Sequence, residues 1–370
     1  MSESSQLSVL TVVEQFWHRV PGGVAVTTSN AIDALGERLQ VSGVSAWHRK
    51  KTLATPSVFP KSWDGAAPIE KLKVPRRVLY EKWLAGKPPK VGSDSIDVLW
   101  ASSMIVPTTD LPVVTTVNDI DFFTNPETLS KRGADFFPRA WERAIGASDV
   151  VVCPSNHVAE AVSDQMKADG ATDIGVEVIP WAVNVPQDHT PQPELLSNLE
   201  LKDKFFLWVG TLEPRKNLKS LTEAFLASEA EQLVVVGPAG WGEGVENVDP
   251  SRILFCGFVA DDVLEELYRA AYAFVFPSIA EGFGLPLLEA MARGLPVICS
   301  NTSSMPEVVG EAAIQIDPLE LDQITAAINK LDSSSELASE MATASKERAS
   351  AYSWAQTAKG YEEVFRSVLS

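Results

Sequence analysis

Cysteine and histidine are both scarce in this chain. Its 370 residues include three cysteines, Cys153, Cys256 and Cys299, far apart and odd in number, so they make no disulfide framework and no metal-ligand spacing. Reduced thiols in a cytoplasmic protein are the expectation. The four histidines, His18, His48, His157 and His189, are scattered. No apolar run approaches the length of about 18 residues that a membrane-spanning helix needs. The opening MSESSQLSVLTVVEQFW has no basic region ahead of its apolar stretch, so no secretory signal is read. Positive charge is in deficit too. Thirty-one Lys and Arg stand against 49 Asp and Glu, a net charge of −18. General nucleic-acid binding relies on neutralising phosphates, and a chain this acidic argues against it.

What is present is the balance of a globular protein, 45% hydrophobic and 22% charged, which excludes wholesale disorder. At about 150 residues per domain the length suggests two domains. Short apolar runs alternate with helical periodicity. In the second half FFLWVG (205–210), QLVVVG (232–237), ILFCGF (253–258), AFVF (273–276) and PVIC (296–299) read as buried strands. NLKSLTEAFLAS (217–228), DVLEELYRAA and LDQITAAINKL read as helices, the second capped by Asp261 and Asp262. Another helix has Pro286 near its first turn and Gly294 just past its end. In the first half SVLTVV (8–13), IDVLWA (96–101), PVVTTV (112–117) and DVVVC (149–153) look like strands. Helices are expected from about Gly23 to Arg38, over 136–147 and over 156–168. Alternating strands and helices imply an α/β fold of two doubly wound, Rossmann-like domains. The proline-rich polar stretch 184–204 reads as the interdomain linker. The expected domains are 1–185 and 186–352, with 353–370 a closing helix. Ligands of such sheets bind in the cleft at the carboxyl ends of the strands.

Three segments carry candidate chemistry. In FVFPSIAEGFGLPLLEAMARGLPV (274–297) a strand leads into a loop with Glu281, Gly282, Phe283 and Gly284, and a helix starts near Leu285. The exposed N–H groups and positive dipole end of that helix suit an anion. Glu281 and Glu289 can face one pocket beside it and grip hydroxyls. The plainer reading is a solvated glutamate and a helix glutamate favoured by the dipole. In FLWVGTLEPRKNLKSLTEAF (206–225) a strand ends at Gly210, and Arg215 and Lys216 sit just before a helix. Two cations at a helix N-terminus oppose the dipole, which makes more sense with an anionic ligand between them. Solvated loop charges are the alternative. In the third segment Pro-Gly-Gly, with Gly22 and Gly23, opens the first helix. It lacks the G-x-G-x-x-G of nicotinamide-cofactor sites, and the chain has no P-loop.

Taken in order, these residues resemble glycosyltransferase family 4, retaining nucleotide-sugar transferases of the GT-B fold. EGFGLPLLE (281–289) is similar to the family's paired-glutamate motif and GTLEPRKN (210–217) to its basic phosphate-binding motif. FPS, GLPVICSN (294–301), PEVVG (306–310) and the Pro-Gly-Gly turn also match. The resemblance implies roles. Arg215 and Lys216 neutralise the donor diphosphate, Glu281 holds the transferred sugar and Glu289 the ribose hydroxyls. Gly282, Phe283, Gly284 and Leu285 offer backbone N–H groups. Gly22 and Gly23 close over the donor, and the base lies near Phe258 and Val259. The segment 352–369 resembles the family's last helix, which packs back on the N-terminal domain. No metal and no cofactor are implied beyond a nucleotide-sugar donor, with GDP-mannose first and UDP-hexoses next. The acceptor is a glycan or lipid-linked molecule, as in cell-surface polysaccharide biosynthesis.

One position departs from the pattern. VVTTVNDIDFF (113–123) has Asn118 where the family often has a histidine near the reacting centre. Asn118 still donates a hydrogen bond but carries no charge. It keeps open a non-catalytic homologue that binds a nucleotide sugar or a partner protein. Asp119-x-Asp121 looks like a metal-binding pair and is set aside, because the GT-B resemblance calls for no metal and such pairs are common by chance. An epimerase of this fold would need more acid–base groups at the sugar. A phosphorylase would need a pyridoxal-phosphate lysine. Finally, residues 49–90 hold eleven basic residues against three acidic ones, interleaved with Trp63, Leu72, Val74, Val78, Leu79, Tyr80, Trp83 and Leu84. Such a segment suits anionic lipid headgroups and a peripheral position at the inner face of a membrane. A solvated helix and loop is the plainer reading.

Overall fold

Short β-branched runs between amphipathic helices bury both faces when they pair in parallel under helices. The computed structural model describes residues 6–18, 22–36, 38–48, 58–63, 68–186, 188–240 and 248–370. It divides into two such units: residues 1–182 with 353–370, and residues 183–352. Arg49, Lys50, Lys51 and Asp64 of the basic segment lie outside the described residues.

In the first unit the strands are β1 (Ser8–Val12), β2 (Gln40–Trp47), β3 (Ile69–Pro75), β4 (Val98–Ala101), β5 (Val113–Thr116), β6 (Val150–Cys153) and β7 (Gly175–Val178). Among the described residues they form one parallel sheet in the order β3-β2-β1-β4-β5-β6-β7. Its helices are α1 (Gly23–Gly36), α2 (Arg76–Leu84), α3 (Asp121–Thr124), α4 (Lys131–Ile145) and α5 (Asn156–Ala168). Strand order reverses between β1 and β4, the switch point where sheets of this kind take ligands. There Gln15, just past β1, donates to Thr28 Oγ1 of α1 (3.2 Å) and Ser102 Oγ beyond β4 (2.8 Å).

The second unit contains β8 (Phe205–Val209), α6 (Leu218–Ala227), β9 (Gln232–Val236), β10 (Ile253–Gly257), α7 (Asp261–Ala270), β11 (Ala273–Phe276), α8 (Leu285–Ala292), β12 (Val297–Ser300), α9 (Met305–Val309), β13 (Ala313–Ile316), α10 (Leu321–Asp332) and α11 (Ser335–Ala349). Its parallel sheet runs β10-β9-β8-β11-β12-β13, with the switch point between β8 and β11. The chain then returns to the first unit as α12 (Trp354–Ser367). The Tyr361 ring lies 4.8 Å from Trp100, and its hydroxyl is 3.0 Å from Thr116 Oγ1. Phe365 is fully buried in the same cluster as Ile32 and Leu35 of α1.

Several expectations change. Helix α4 begins at Lys131, ahead of the expected 136, because Ser130 caps it by accepting from Gly133 N. Asp261 and Asp262 are not caps but first-turn residues of α7, where their charge complements the helix dipole. Stretch 184–204, read as a linker, is anchored to α7 in the second unit: Gln192 N donates to Glu266 Oε1 (2.8 Å) and Arg269 Nη2 to Pro186 O (3.1 Å). Cys256, expected in the core, is half-buried because β10 is an edge strand. Cys153 and Cys299 are buried, which pushes both thiols up to about 12.

The basic segment forms edge strand β3 and helix α2. Its side chains divide. Trp63, Leu72, Leu79 and Trp83 are core residues, whereas Lys71, Lys73, Arg77, Lys82, Lys87 and Lys90 are exposed. Charges on an outer strand also block edge-to-edge pairing. Among the described residues no helix is long and apolar enough to cross a membrane.

Because α12 completes the core of the first unit, Phe365→Ala is expected to destabilise that unit by about 3–5 kcal/mol, the cost of a large cavity in a packed core. Denaturant unfolding followed by tryptophan fluorescence measures it.

Candidate functional site

The carboxyl ends of β8 and β11 flank the switch point of the second sheet, and most of the candidate residues gather there. After β8 the chain makes a one-turn helix over Pro214–Lys216, followed by Asn217 in the left-handed region (φ 54°). That turn sends Arg215 and Lys216 toward the loop after β11. Lys216 Nζ lies 2.5 Å from Glu281 Oε1 and 4.8 Å from the centre of the Phe276 ring. Arg215 Nη1 donates to Glu281 Oε2 (3.0 Å) and to Ala280 O (3.1 Å), while Nη2 pairs with Glu213 Oε1 (2.9 Å). Lys216 and Glu281 are 7% exposed each, and the Arg215 side chain keeps a 25% exposed edge. The cluster is therefore electrically balanced, with one accessible cation. Burial pushes the Glu281 carboxyl up, but Lys216 and Arg215 outweigh it and hold it below the usual carboxylate value. Burial also dominates at Lys216, whose ammonium is lowered despite Glu281.

The Glu281 loop is clamped by a run of hydroxyls from the β12–α9 turn. Ser300 Oγ donates to Ser278 O (2.6 Å), Thr302 Oγ1 to Ile279 O (2.9 Å) and Ser304 Oγ to Glu281 O (2.8 Å). Ser303 Oγ accepts from Glu281 N (3.0 Å). Beyond it Gly282 and Phe283 are buried, and Gly284 opens α8 at φ 95°, a conformation that glycine adopts without strain. Leu285 is the first residue of α8, so its N–H belongs to the free amide end. Gly210 follows β8 directly, and a Cβ on neighbouring Gly237 would lie 1.8 Å from Gly210 O, so the chain closes tightly beyond the two strand ends.

Glu289 sits apart from the charge cluster. It does not join Glu281 on the cations. Tyr268 of α7 donates to Glu289 Oε2 (2.9 Å), and Arg293 Nη1 donates to the Glu289 carbonyl (2.9 Å). Burial raises the Glu289 carboxyl above its usual value, against the Tyr268 hydrogen bond and Arg293. Val259 follows edge strand β10, two strands from β8 at the same end of the sheet, and Phe258 beside it is 66% exposed.

The remaining candidates belong to the first unit. Gly22 and Gly23 are exposed at the start of α1, where Gly22 O accepts from Ala25 N (3.0 Å). Asn118 follows β5, and its Oδ1 is buried without a hydrogen-bond partner among the described residues. Asp121 opens α3 and donates its N–H to Asp119 Oδ1 (3.4 Å). Among the described residues no group of three or more His, Cys, Asp and Glu could hold a metal ion.

Residues 196–348 match the family described as glycosyl transferases group 1. The match falls within the second unit. O-antigen chain mannosyltransferase B of Escherichia coli is 32% identical over 227 residues, 58% of this chain and 60% of that relative. The chain thus spans less than two thirds of the relative's length. Sucrose-phosphate synthase from Thermosynechococcus elongatus has a TM-score of 0.72 at 17% identity, covering 98% of this chain and 99% of that one. Anabaena HepE in complex with UDP-glucose has a TM-score of 0.70 at 19% identity, covering 98% and 100%. The likeness to these structures is one of fold, the two-domain α/β architecture of GT-B enzymes.

The sequence reading missed Tyr268, Glu213, Arg293 and the hydroxyls of residues 300–304. The signal for Tyr268 was its place on the polar-apolar boundary of an amphipathic helix two elements before the motif.

The two glutamates should respond oppositely to mutation and acid. A carboxyl held below its ordinary value contributes stability at neutral pH that is lost as pH falls through its folded pKa. A carboxyl held above it costs stability at neutral pH, and acid relieves that cost. Glu281→Ala, which strands a buried ammonium, is expected to cost the second unit about 3–5 kcal/mol at pH 7. Glu289→Gln is expected to leave stability unchanged or higher. Urea titrations across a pH series measure both.

Proposed function

We propose that the chain is a retaining glycosyltransferase that moves a hexose, mannose first, from a nucleotide diphosphate to a glycan or lipid-linked acceptor. One observation carries the reading: two cations and a glutamate converge at a switch point, beside the amide end of α8. The name of the Escherichia coli relative supports mannose, and a neighbour bound to UDP-glucose supports a nucleotide-sugar donor, GDP-mannose or a UDP-hexose.

The chemistry follows from charge. As the glycosidic bond breaks, the leaving nucleoside diphosphate gains negative charge. The exposed edge of Arg215, with Lys216 behind it and the α8 amide end, stabilises that charge. The incoming phosphate takes up part of the cationic field that Glu281 now occupies, and this frees a Glu281 oxygen for sugar hydroxyls. The sugar passes through an oxocarbenium-like state, and the acceptor oxygen attacks from the side the phosphate leaves. Its proton passes to a phosphate oxygen, so no protein nucleophile is required. The partnerless Oδ1 of Asn118 suits a hydroxyl donor, and its amide suits an acceptor. A Cβ on Gly22 would meet nothing within 4 Å, which suits close approach of a ligand to backbone.

A cytoplasmic site with peripheral contact to an anionic membrane is the accompanying proposal. It rests on charge alone, because the aromatic residues Trp63 and Trp83 are core residues. Co-sedimentation with anionic vesicles that vanishes at high salt is expected. Equal recovery in the supernatant with and without vesicles would sink it.

Thermal shift with nucleotide sugars, paired with release of free nucleoside diphosphate, tests the main reading. One donor should stabilise the protein, and Arg215→Ala should lower turnover by roughly 10²–10³-fold, the usual loss for one charge-stabilising donor. Asn118→Ala should lower turnover while leaving nucleoside diphosphate affinity intact. Stabilisation without any release would favour a non-catalytic nucleotide-sugar binder instead.

A further inference from the structure

The Glu289 carboxylate has an unusual environment for a half-buried acid. Among the described residues the one side chain that hydrogen-bonds it is Tyr268, a neutral donor, at Oε2. The nearest cation does not pair with it. Arg293 turns its Nε and Nη2 to Glu265 Oε2 (2.9 and 2.5 Å), while Glu265 Oε1 takes Arg269 Nε (2.6 Å). Its remaining Nη1 goes to the Glu289 backbone carbonyl, and the guanidinium lies 4.9 Å over the Tyr268 ring. Glu265 thus diverts Arg293 from the carboxylate, and Arg293 in turn fixes the Tyr268 ring. Asp261 and Glu265 add further negative charge around the group. The contrast with Glu281, whose two oxygens are both taken by cations, is direct.

Packing alone does not call for this pair. Tyr268 is 1% exposed, its ring 5.9 Å from Phe274, and a phenylalanine would fill the same space without a buried hydroxyl. Holding a buried tyrosine hydroxyl against a half-buried carboxylate costs desolvation on both sides. What the arrangement achieves is specific. One oxygen is pinned by a neutral donor, the side-chain rotation is fixed, and no cation neutralises the carboxylate, whose Oε1 is left for ligand hydroxyls. An ion-paired carboxylate would offer neither the charge nor the free oxygen.

We infer that Tyr268 is a positioning residue that sets Glu289 Oε1 to accept from the sugar diol of a nucleotide's ribose, and so makes the site selective for ribonucleotides. The inference rests on the donor-site reading above and deepens it.

The test compares binding of UDP and GDP with their 2′-deoxy and 3′-deoxy forms, by calorimetry, for the unmodified protein, Tyr268→Phe and Glu289→Gln. The unmodified protein should prefer the ribonucleotide by roughly 10- to 100-fold, the value of a hydrogen bond to a charged group. Glu289→Gln should abolish that preference. Tyr268→Phe should shrink it to about threefold or less, by weakening the ribonucleotide while leaving the deoxy forms unchanged. Because Tyr268 lowers the Glu289 carboxyl, Tyr268→Phe should also move the acid loss of ribonucleotide binding to higher pH. An unchanged melting temperature shows that the variant is folded. If Glu289→Gln abolishes the preference and Tyr268→Phe weakens all forms equally or none, Tyr268 is only structural and the inference falls while the donor site stands. If Glu289→Gln keeps the preference, or no nucleotide binds, the donor-site reading fails and takes the inference with it.

Discussion

The bond between Glu281 and the neighbouring cations Lys216 and Arg215 holds the candidate site together. It joins the loop after β8 to the loop after β11, elements more than sixty residues apart in sequence, across the switch point of the sheet. A backbone bond from Ile279 N to Arg215 O (2.7 Å) runs alongside it. A buried ion pair is weak evidence for stability, since apolar residues of similar volume often do as well. It sits at the carboxyl ends of the two central strands. The surrounding hydroxyls, the amide end of α8 and the tight approach of Gly210 and Gly237 all take their positions from these two loops.

Two glutamates eight positions apart end in opposite electrostatic states. Helix α8 begins between them, so Glu281 stays on the loop among cations while Glu289 turns onto the α7 side. The first has both oxygens taken by cations, and the second accepts from a neutral hydroxyl. A single acidic motif thus holds one glutamate whose charge the protein balances and one that it does not pair with a cation.

The architecture was legible because short continuous apolar runs and period-3.6 patterns survive in single elements: 205–209, 232–236 and 156–168 fall almost where the pattern places them. The motif residues were legible because their chemistry is concentrated within a few positions. Tyr268, Ser303 and Ser304 were not, since each acts on a residue about twenty positions away and a serine or tyrosine gives no local hint of its partner. Strand β3 was hidden because its exposed side carries charge. In the basic segment composition showed aromatics beside cations, but only the fold shows that Trp63 and Trp83 turn inward. Asp261 and Asp262 misled by one residue, as capping and first-turn acids share one composition.

The return of the chain as α12 has a topological consequence. The first unit is assembled from two separated stretches, so the polypeptide crosses between units twice, near 182 and near 353. Neither unit can be excised with a single cut at the first crossing. A fragment ending there would leave Trp100, Ile32 and Leu35 uncovered, an apolar face prone to self-association. A protease nick near 183 would instead leave two pieces joined by their packing, migrating together until denatured. Gene architectures that rearrange these two units must carry the last eighteen residues along with the first 182.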